Sequence, residues 1–396
     1  MSPRVYLDHA ATTPVRPEVV AVVAEQLGRR GNPSSLHADG RQARRLVEEH
    51  RERIAAAVGA RPSEVVFTAG GTESDNLAVK GLFWARRRAD PGRTRVLVSA
   101  VEHHAVLDAA LWLARAQGAQ VELLAVDELG RVCPETVEAA IALDPSSVAL
   151  VSVMWANNEV GTMMPVGEIA AICRRYEVPF HSDAVQVLGQ RRVELGAAAP
   201  DAVTLSAHKL GGPVGVGALV VHSDLELEPL LHGGGQERDI RSGTLDAAGV
   251  AGFCVAVETA VADQPQRSDR VKGLRDQLVR RVLEQVPGSR LTGDPDPAGR
   301  LPGNAHLCFA GCEADALLML LDAQGIACST GSACSSGVPE PSHVLLAMGD
   351  DEAAVSSLRF SLGWSSTQHD VDALLAALPG AVDRARAAGR LSARGA

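Results

Sequence analysis

The chain has 396 residues, of which 46% are hydrophobic and 22% charged, and carries a formal net charge of −10; this is the balance of a globular protein of about two or three domains. It has no polybasic run or basic face with interleaved aromatics, which excludes direct nucleic-acid binding and attachment to anionic membranes. No window reaches the roughly 18 apolar residues of a spanning helix, and the opening MSPRVYLDHAATTP has no signal-peptide pattern, so a cytoplasmic protein is expected.

From about residue 63, short apolar runs alternate with helical stretches. EVVFTA, RVLVSA, VELLAV, VALVSV, VPFHSD, AVTLSAH and GALVVH read as strands, while DNLAVKGLFWARRR and VGEIAAICRRY show helical periodicity. Repeated strand and helix units predict a mostly parallel α/β sheet covered on both faces. In such sheets, sites gather beyond the carboxyl ends of the strands. The pattern changes after the loop HGGGQERDIRSGT: a long helical stretch from about Ala247 to Val286 leads into a smaller α+β region with the runs HLCFA and IACSTG. GDPDPAGRLPG reads as a surface loop by composition.

The strand ends carry the polar residues of interest. VVFTAGGTESDN reads as strand, glycine turn and helix, with Thr72 at the N-cap; free N–H groups of Gly71 and Thr72 make an anion site, although any strand-to-helix turn has this appearance. His103, after RVLVSA, is either a satisfied structural histidine or a ring that stacks on a cofactor and relays protons. In Asn157-Asn158-Glu159 a buried amide is placed to hold a cofactor oxygen. Asp183, in HSDAVQ, is a metal ligand, a salt-bridge member or the partner of a pyridinium nitrogen; no further metal-ligand spacing accompanies it, and no metal is expected.

Of the 38 basic residues only Lys80, Lys209 and Lys272 are lysine. Arginine stays protonated, whereas a desolvated lysine can lose its proton and form a Schiff base. Lys209 ends an apolar strand just before a glycine-rich turn, flanked by Ser206 and His208, two donors suited to a phosphate; a surface lysine after a strand is the plainer reading. Lys80, eight residues into its helix, is expected to be solvated. The seven cysteines are odd in number and scattered through apparent core segments, which argues against a disulfide framework. Cys334 lies in IACSTGSACSSGVPEPSHVL, whose Ser, Gly and Ala content packs poorly and tolerates motion. Cys328, at the end of the apolar run, suits a small buried hydrophobe better.

Taken together, YLDHAATTP, GNPSSLH, GGTESDN, EHHAVL, NNEVG, HSDAVQ, SAHK, HGGGQERDIRSGT, STGSACSSG and RFSLG, in this order from about residue 5 to about 385, resemble the group I cysteine desulfurases of the NifS/IscS type. These belong to the fold type I, class V aminotransferase family that uses pyridoxal 5′-phosphate. The resemblance implies a large domain over residues 13–258 with a seven-stranded, mostly parallel sheet. It also implies a small domain over 1–12 and 259–396 that carries the cysteine loop at about 326–342.

On matching positions the resemblance implies that Lys209 carries the cofactor and Asp183 pairs with its ring nitrogen. Asn158 and Gln186 face its phenolate side, His103 stacks on the ring, and Gly71, Thr72, Ser206 and His208 hold the phosphate. Thr244 reaches the phosphate site of a second subunit, so a homodimer is implied. Arg359 clamps the substrate carboxylate, with Asn158 and Asn32 also on the substrate side. Cys334 takes sulfur from L-cysteine as a persulfide, leaving alanine. The acceptor is an iron–sulfur scaffold, a tRNA-thiolating enzyme or a cofactor-biosynthetic sulfur carrier.

Two departures stand out. The chain ends at RARAAGRLSARGA, where some members carry a longer tail that docks the scaffold, and Cys328 adds a second thiol near Cys334. The rival readings are a selenocysteine lyase or another class V aminotransferase on the same scaffold, a non-catalytic partner-binding protein, and a nucleotide-binding α/β protein.

Overall fold

A computed structural model describes residues 4–196, 199–331 and 341–395. After a short strand β1 (Val5–Tyr6), helices α1 (Pro17–Leu27) and α2 (Ala38–Val58) lead into a strand and helix run. It comprises β2 (Val65–Thr68), α3 (Gly71–Ala89), β3 (Arg95–Ser99), α4 (His104–Gln117), β4 (Gln120–Leu124), α5 (Pro134–Ala142), β5 (Val148–Ser152), α6 (Val166–Arg175), β6 (Phe180–Asp183), β7 (Ala202–Ser206) and β8 (Gly217–Val221). The seven apolar runs of the sequence are the strands β2 to β8 of one sheet, ordered β2-β8-β7-β6-β5-β3-β4 and parallel except for β8, which is antiparallel to both neighbours.

Burial on both faces explains why the central strands read as unbroken apolar runs: every residue of β5, β7 and β8 is buried. Edge strand β4 is largely open instead, with only Leu124 buried. On one face Val203, Leu205 and Ala218 pack with Ile54, Val58 and Phe253. Opposite them, Val66, Val98 and Leu150 pack with Leu77, Leu82 and Phe83 of α3, while back on the first face Leu97, Val151 and Phe180 pack with residues of α5 and α6. Each such side chain contributes about 1.5–3 kcal/mol when fully buried.

The predicted helical stretch from Ala247 to Val286 is two helices, α7 (Ala247–Ala262) and α8 (Gln264–Gln285). The break falls at Asp263; Pro265 lacks an N–H and sits in the first turn of α8, where none is needed. Beyond α8 come β9 (Ser289–Leu291), β10 (Asn304–Phe309), α9 (Ala314–Asp322), β11 (Ile326–Ala327), α10 (His343–Ala347), α11 (Asp351–Ser356), β12 (Ser357–Ser361) and α12 (Gln368–Gly395). Strand β10 lies antiparallel between β12 and β9, and β1 pairs in parallel with β11. A separate core joins Val5 and Leu7 to Leu307, Phe309, Ile326, Leu358 and Phe360.

GDPDPAGRLPG is only partly a surface loop. Pro295 to Ala298 are exposed, whereas Asp294, Arg300 and Leu301 are buried. Arg300 donates to the Asp294 carbonyl at 2.7 Å and to Asn304 Oδ1 at 3.1 Å, and this hydrogen bonding takes the turn into the interior. Among the described residues no helix is long and apolar enough to cross a membrane.

Candidate active site

A cavity of about 240 Å³ opens beyond the carboxyl ends of β2, β6 and β7. Its wall includes Gly71, Thr72, His103, Asn158, Asp183, Gln186, Ser206, His208 and Lys209, which gathers nine of the sequence-predicted site residues around one space. Gly71, Thr72, Ser206 and His208 also line a larger, outer cavity of about 560 Å³, so this group lies at the junction of the two.

At that junction the β2–α3 turn differs from expectation in one detail. The N-cap is Gly70 at φ 147°, not Thr72, which stands in the first turn of α3. Gly70 takes a backbone conformation that L side chains rarely adopt, and at Gly71 a Cβ would lie 3.1 Å from Val185. The first N–H groups of α3 have no partner within the helix and favour an anion. Ser206 Oγ is buried with no hydrogen-bond partner among the described residues, a donor left over in the same wall. A phosphate fits this donor set.

Lys209 sits in the short helical turn Ala207–Lys209 that follows β7. Its Nζ donates to the carbonyls of Ala10 at 2.5 Å and Ala11 at 2.8 Å, both from the AATTP segment. Burial, helped by Arg359, pulls its pKa down to about 8, so a neutral amine is accessible near neutral pH. Lys80 is half-buried rather than solvated, with its Nζ 4.5 Å from the centroid of the Trp112 ring, and Lys272 pairs with Asp276. Neither faces the cavity.

Asp183 closes β6; its Oδ1 accepts from the Val185 N–H at 2.8 Å. Burial pushes its pKa up to about 6, against the lowering effect of that N–H and of Lys209. A cationic ring nitrogen placed here would meet a carboxylate otherwise short of counter-charge, so the ring of pyridoxal 5′-phosphate fits as its phosphate does. His103 is the N-cap of α4: its Nδ1 accepts from the Ala105 N–H at 3.1 Å, which places the ring proton on Nε2. Burial, together with Lys209, brings its pKa to about 4 and keeps the ring neutral. His208 is likewise lowered to about 4 by burial and Lys209.

Of the two asparagines, Asn157 is the fully buried one. Its amide is consumed by the Val101 carbonyl and by the N–H groups of Glu159 and Val160, while Asn158 faces the cavity. Gln186 donates to the Ala10 carbonyl at 2.9 Å. Arg359, on β12, is 4% exposed; it donates to the Asn158 carbonyl at 3.0 Å and to Asp8 Oδ1 at 2.9 Å.

Of the other predicted site residues, Arg359 meets the cavity wall through the Asn158 carbonyl, whereas Asn32 and Thr244 are not brought to it. Asn32 is exposed, with its side chain accepting from the Ser34 N–H. Thr244 is exposed beside a separate pocket with Arg241 and Asp246, on a loop anchored by the buried Arg51–Glu237 pair at 2.6 Å. Cys334 lies outside the described residues. The chain on either side of it is described: Ser329 bridges Arg359 through both backbone hydrogen bonds, a Cβ at Gly331 would lie 3.3 Å from Glu159 Oε2, and Ser342 Oγ donates to that same oxygen at 2.6 Å. Cys328 is inert by contrast, its thiol pushed up to about 12 by burial and neighbouring carboxylates.

Asp75 is a wall residue that sequence reasoning passed over. It is buried, its Oδ1 lies 3.6 Å from His181 Nε2, and burial beside Asp183 holds its carboxyl well above the usual range. Its signal was the GGTESDN motif, which places it four residues after Gly71 and therefore one turn further along the same helical face.

The chain matches the class-V aminotransferase family over residues 5–374. It is 55% identical over 392 residues to an IscS-like cysteine desulfurase of Mycobacterium tuberculosis, covering 99% of both chains. Among solved structures it is similar to a NifS-like protein, with TM-score 0.88, 33% identity and coverage of 96% of this chain and 100% of that one. It is also similar to SspA in complex with cysteine, with TM-score 0.77, 32% identity and coverage of 90% and 98%. Sequence, fold and wall chemistry agree: the chain belongs to the class-V aminotransferase family, among the cysteine desulfurases of the IscS and NifS type.

Proposed function

We propose that this protein binds pyridoxal 5′-phosphate through Lys209 and removes sulfur from L-cysteine, giving L-alanine and a persulfide on Cys334. The observation that carries the reading is Lys209 itself: a lysine with its pKa lowered to about 8 shares one cavity wall with Asp183 and with the Gly71, Thr72, Ser206 and His208 group. When bound, the cofactor supplies an electron sink for bond changes at the substrate α-carbon.

In this reading Gly71, Thr72, Ser206 and His208 hold the phosphate, and Asp183 keeps the ring nitrogen cationic. Asn158 and Gln186 face the phenolate oxygen, and the neutral ring of His103 covers the cofactor. Arg359 receives the substrate carboxylate. Lys209 Nζ takes the α-proton. The Cys334 thiolate then attacks the substrate sulfur: an S–S bond forms, the C–S bond breaks with its electron pair left on the β-carbon, a proton is taken up there, and the proton held by Lys209 returns to the α-carbon to complete alanine.

The persulfide passes to a protein acceptor of the iron–sulfur or tRNA-thiolation kind, in the cytoplasm. Thr244 contributes to the phosphate site of a partner in a homodimer, which accounts for its place outside its own cavity.

The test is alanine formation from L-cysteine by purified protein with the cofactor and a reductant, beside Cys334→Ser. Alanine from the parent protein alone supports both the activity and the role of Cys334. Equal alanine from both assigns the sulfur step to another group.

A further inference from the structure

The arginine that the proposed reaction needs for its substrate is already engaged. Nη2 of Arg359 donates to Asp8 Oδ1, Nη1 is held by the Asn158 carbonyl, and Nε is buried with no partner among the described residues. Asp8 is itself fixed through its backbone: it bridges Ser361, two residues beyond Arg359 on the same strand, and its carbonyl accepts from Tyr6 Oη at 3.1 Å. Its carboxylate keeps 20% of its surface exposed, against 5% for the Arg359 side chain, so the acid is the reachable member of the pair.

We propose that Asp8 is a positioning and affinity-setting residue for substrate: it orients the Arg359 fork ahead of substrate and is the negative charge with which an incoming α-carboxylate must share that fork. This rests on the reading that Arg359 receives the substrate carboxylate. A guanidinium with no counter-ion in this buried place would retain any carboxylate, product included. With Asp8 beside it the pair is neutral, and a second carboxylate arrives against a like charge. Among the described residues Nε has no hydrogen-bond partner and Nη2 keeps a second N–H beyond the one on Asp8, donors with which the fork can serve both acids at once. Asp8 thus trades substrate affinity for release of alanine.

The experiment measures the dissociation constants of L-alanine and of L-alaninamide, which lacks the carboxylate, on the cofactor-loaded protein by calorimetry. Asp8→Asn keeps an acceptor oxygen but removes the charge; it should bind L-alanine about three- to thirtyfold more tightly, bind L-alaninamide no more tightly, and lower kcat and KM together. Asp8→Ala, which loses the orienting acceptor too, should bind L-alanine less tightly than Asp8→Asn. If Asp8→Asn does not fold, Asp8→Ser carries the same comparison. No gain for L-alanine, or an equal gain for both ligands, overturns the role of Asp8. Arg359→Gln separates the underlying reading: if it leaves L-alanine affinity unchanged, the carboxylate binds elsewhere.

Discussion

Lys209, partly buried, and Arg359, buried, are neighbouring basic residues that the fold treats in opposite ways. Lys209, in the turn after β7, meets two neutral carbonyls, so its desolvation is not offset by a contacting carboxylate and its proton becomes removable. Arg359, on β12, meets the carboxylate of Asp8 instead. The proposed reaction needs at the first place an amine that gains and loses a proton, at the second a fixed fork. The difference lies less in the two side chains than in whether the N-terminal segment offers each a carbonyl or a carboxylate.

The largest test of this contrast removes the amine. Lys209→Ala should abolish the visible absorption that appears on adding pyridoxal 5′-phosphate, and should slow alanine formation by about 10²–10⁴-fold or more. Persistence of both would transfer the amine role to another group. Arg359→Ala should act on binding: loss of a charged contact of about 1.5–3 kcal/mol raises KM for cysteine about ten- to a hundredfold, with a smaller change in kcat. A KM that does not move would break the pairing of roles at its second member.

Asp183 sharpens the comparison through pH. Its folded pKa lies above the ordinary value of 3.8, so the carboxylate forms only as pH rises through about 6. Cofactor affinity, measured by fluorescence titration, should therefore fall as pH drops through about 6, and Asp183→Asn should flatten that dependence. The sign for stability is opposite: the fold favours the protonated acid, so the cofactor-free protein loses stability as pH rises from about 4 through about 6.

Smaller effects concern the chain around Cys334. Ser342 both caps α10, by accepting from the Leu345 N–H, and donates to the buried Glu159. Ser342→Ala should cost about 1–2 kcal/mol in urea unfolding. The smallest effect is expected of Cys328→Ala: a thiol held near 12 is protonated at neutral pH, and sulfur removal should stay within about twofold of the parent rate.

The sequence by itself determined the large sheet and much of the cavity wall. Runs such as VALVSV and AVTLSAH are apolar throughout because both faces of a central strand are covered, and a polar residue that ends such a run stands at the sheet's carboxyl edge; Asp183 and Lys209 were found in this way. Resemblance to a family added Arg359 and Gln186, which no local pattern marks. Only the tertiary structure decided what these groups touch. The carbonyls that receive Lys209 come from residues 10 and 11, the acid that holds Arg359 from residue 8, and the serine on Glu159 from residue 342. Periodicity reports which face of an element is buried. It cannot report which distant segment meets that face, because strand order and helix placement set those meetings through packing shared by the whole chain.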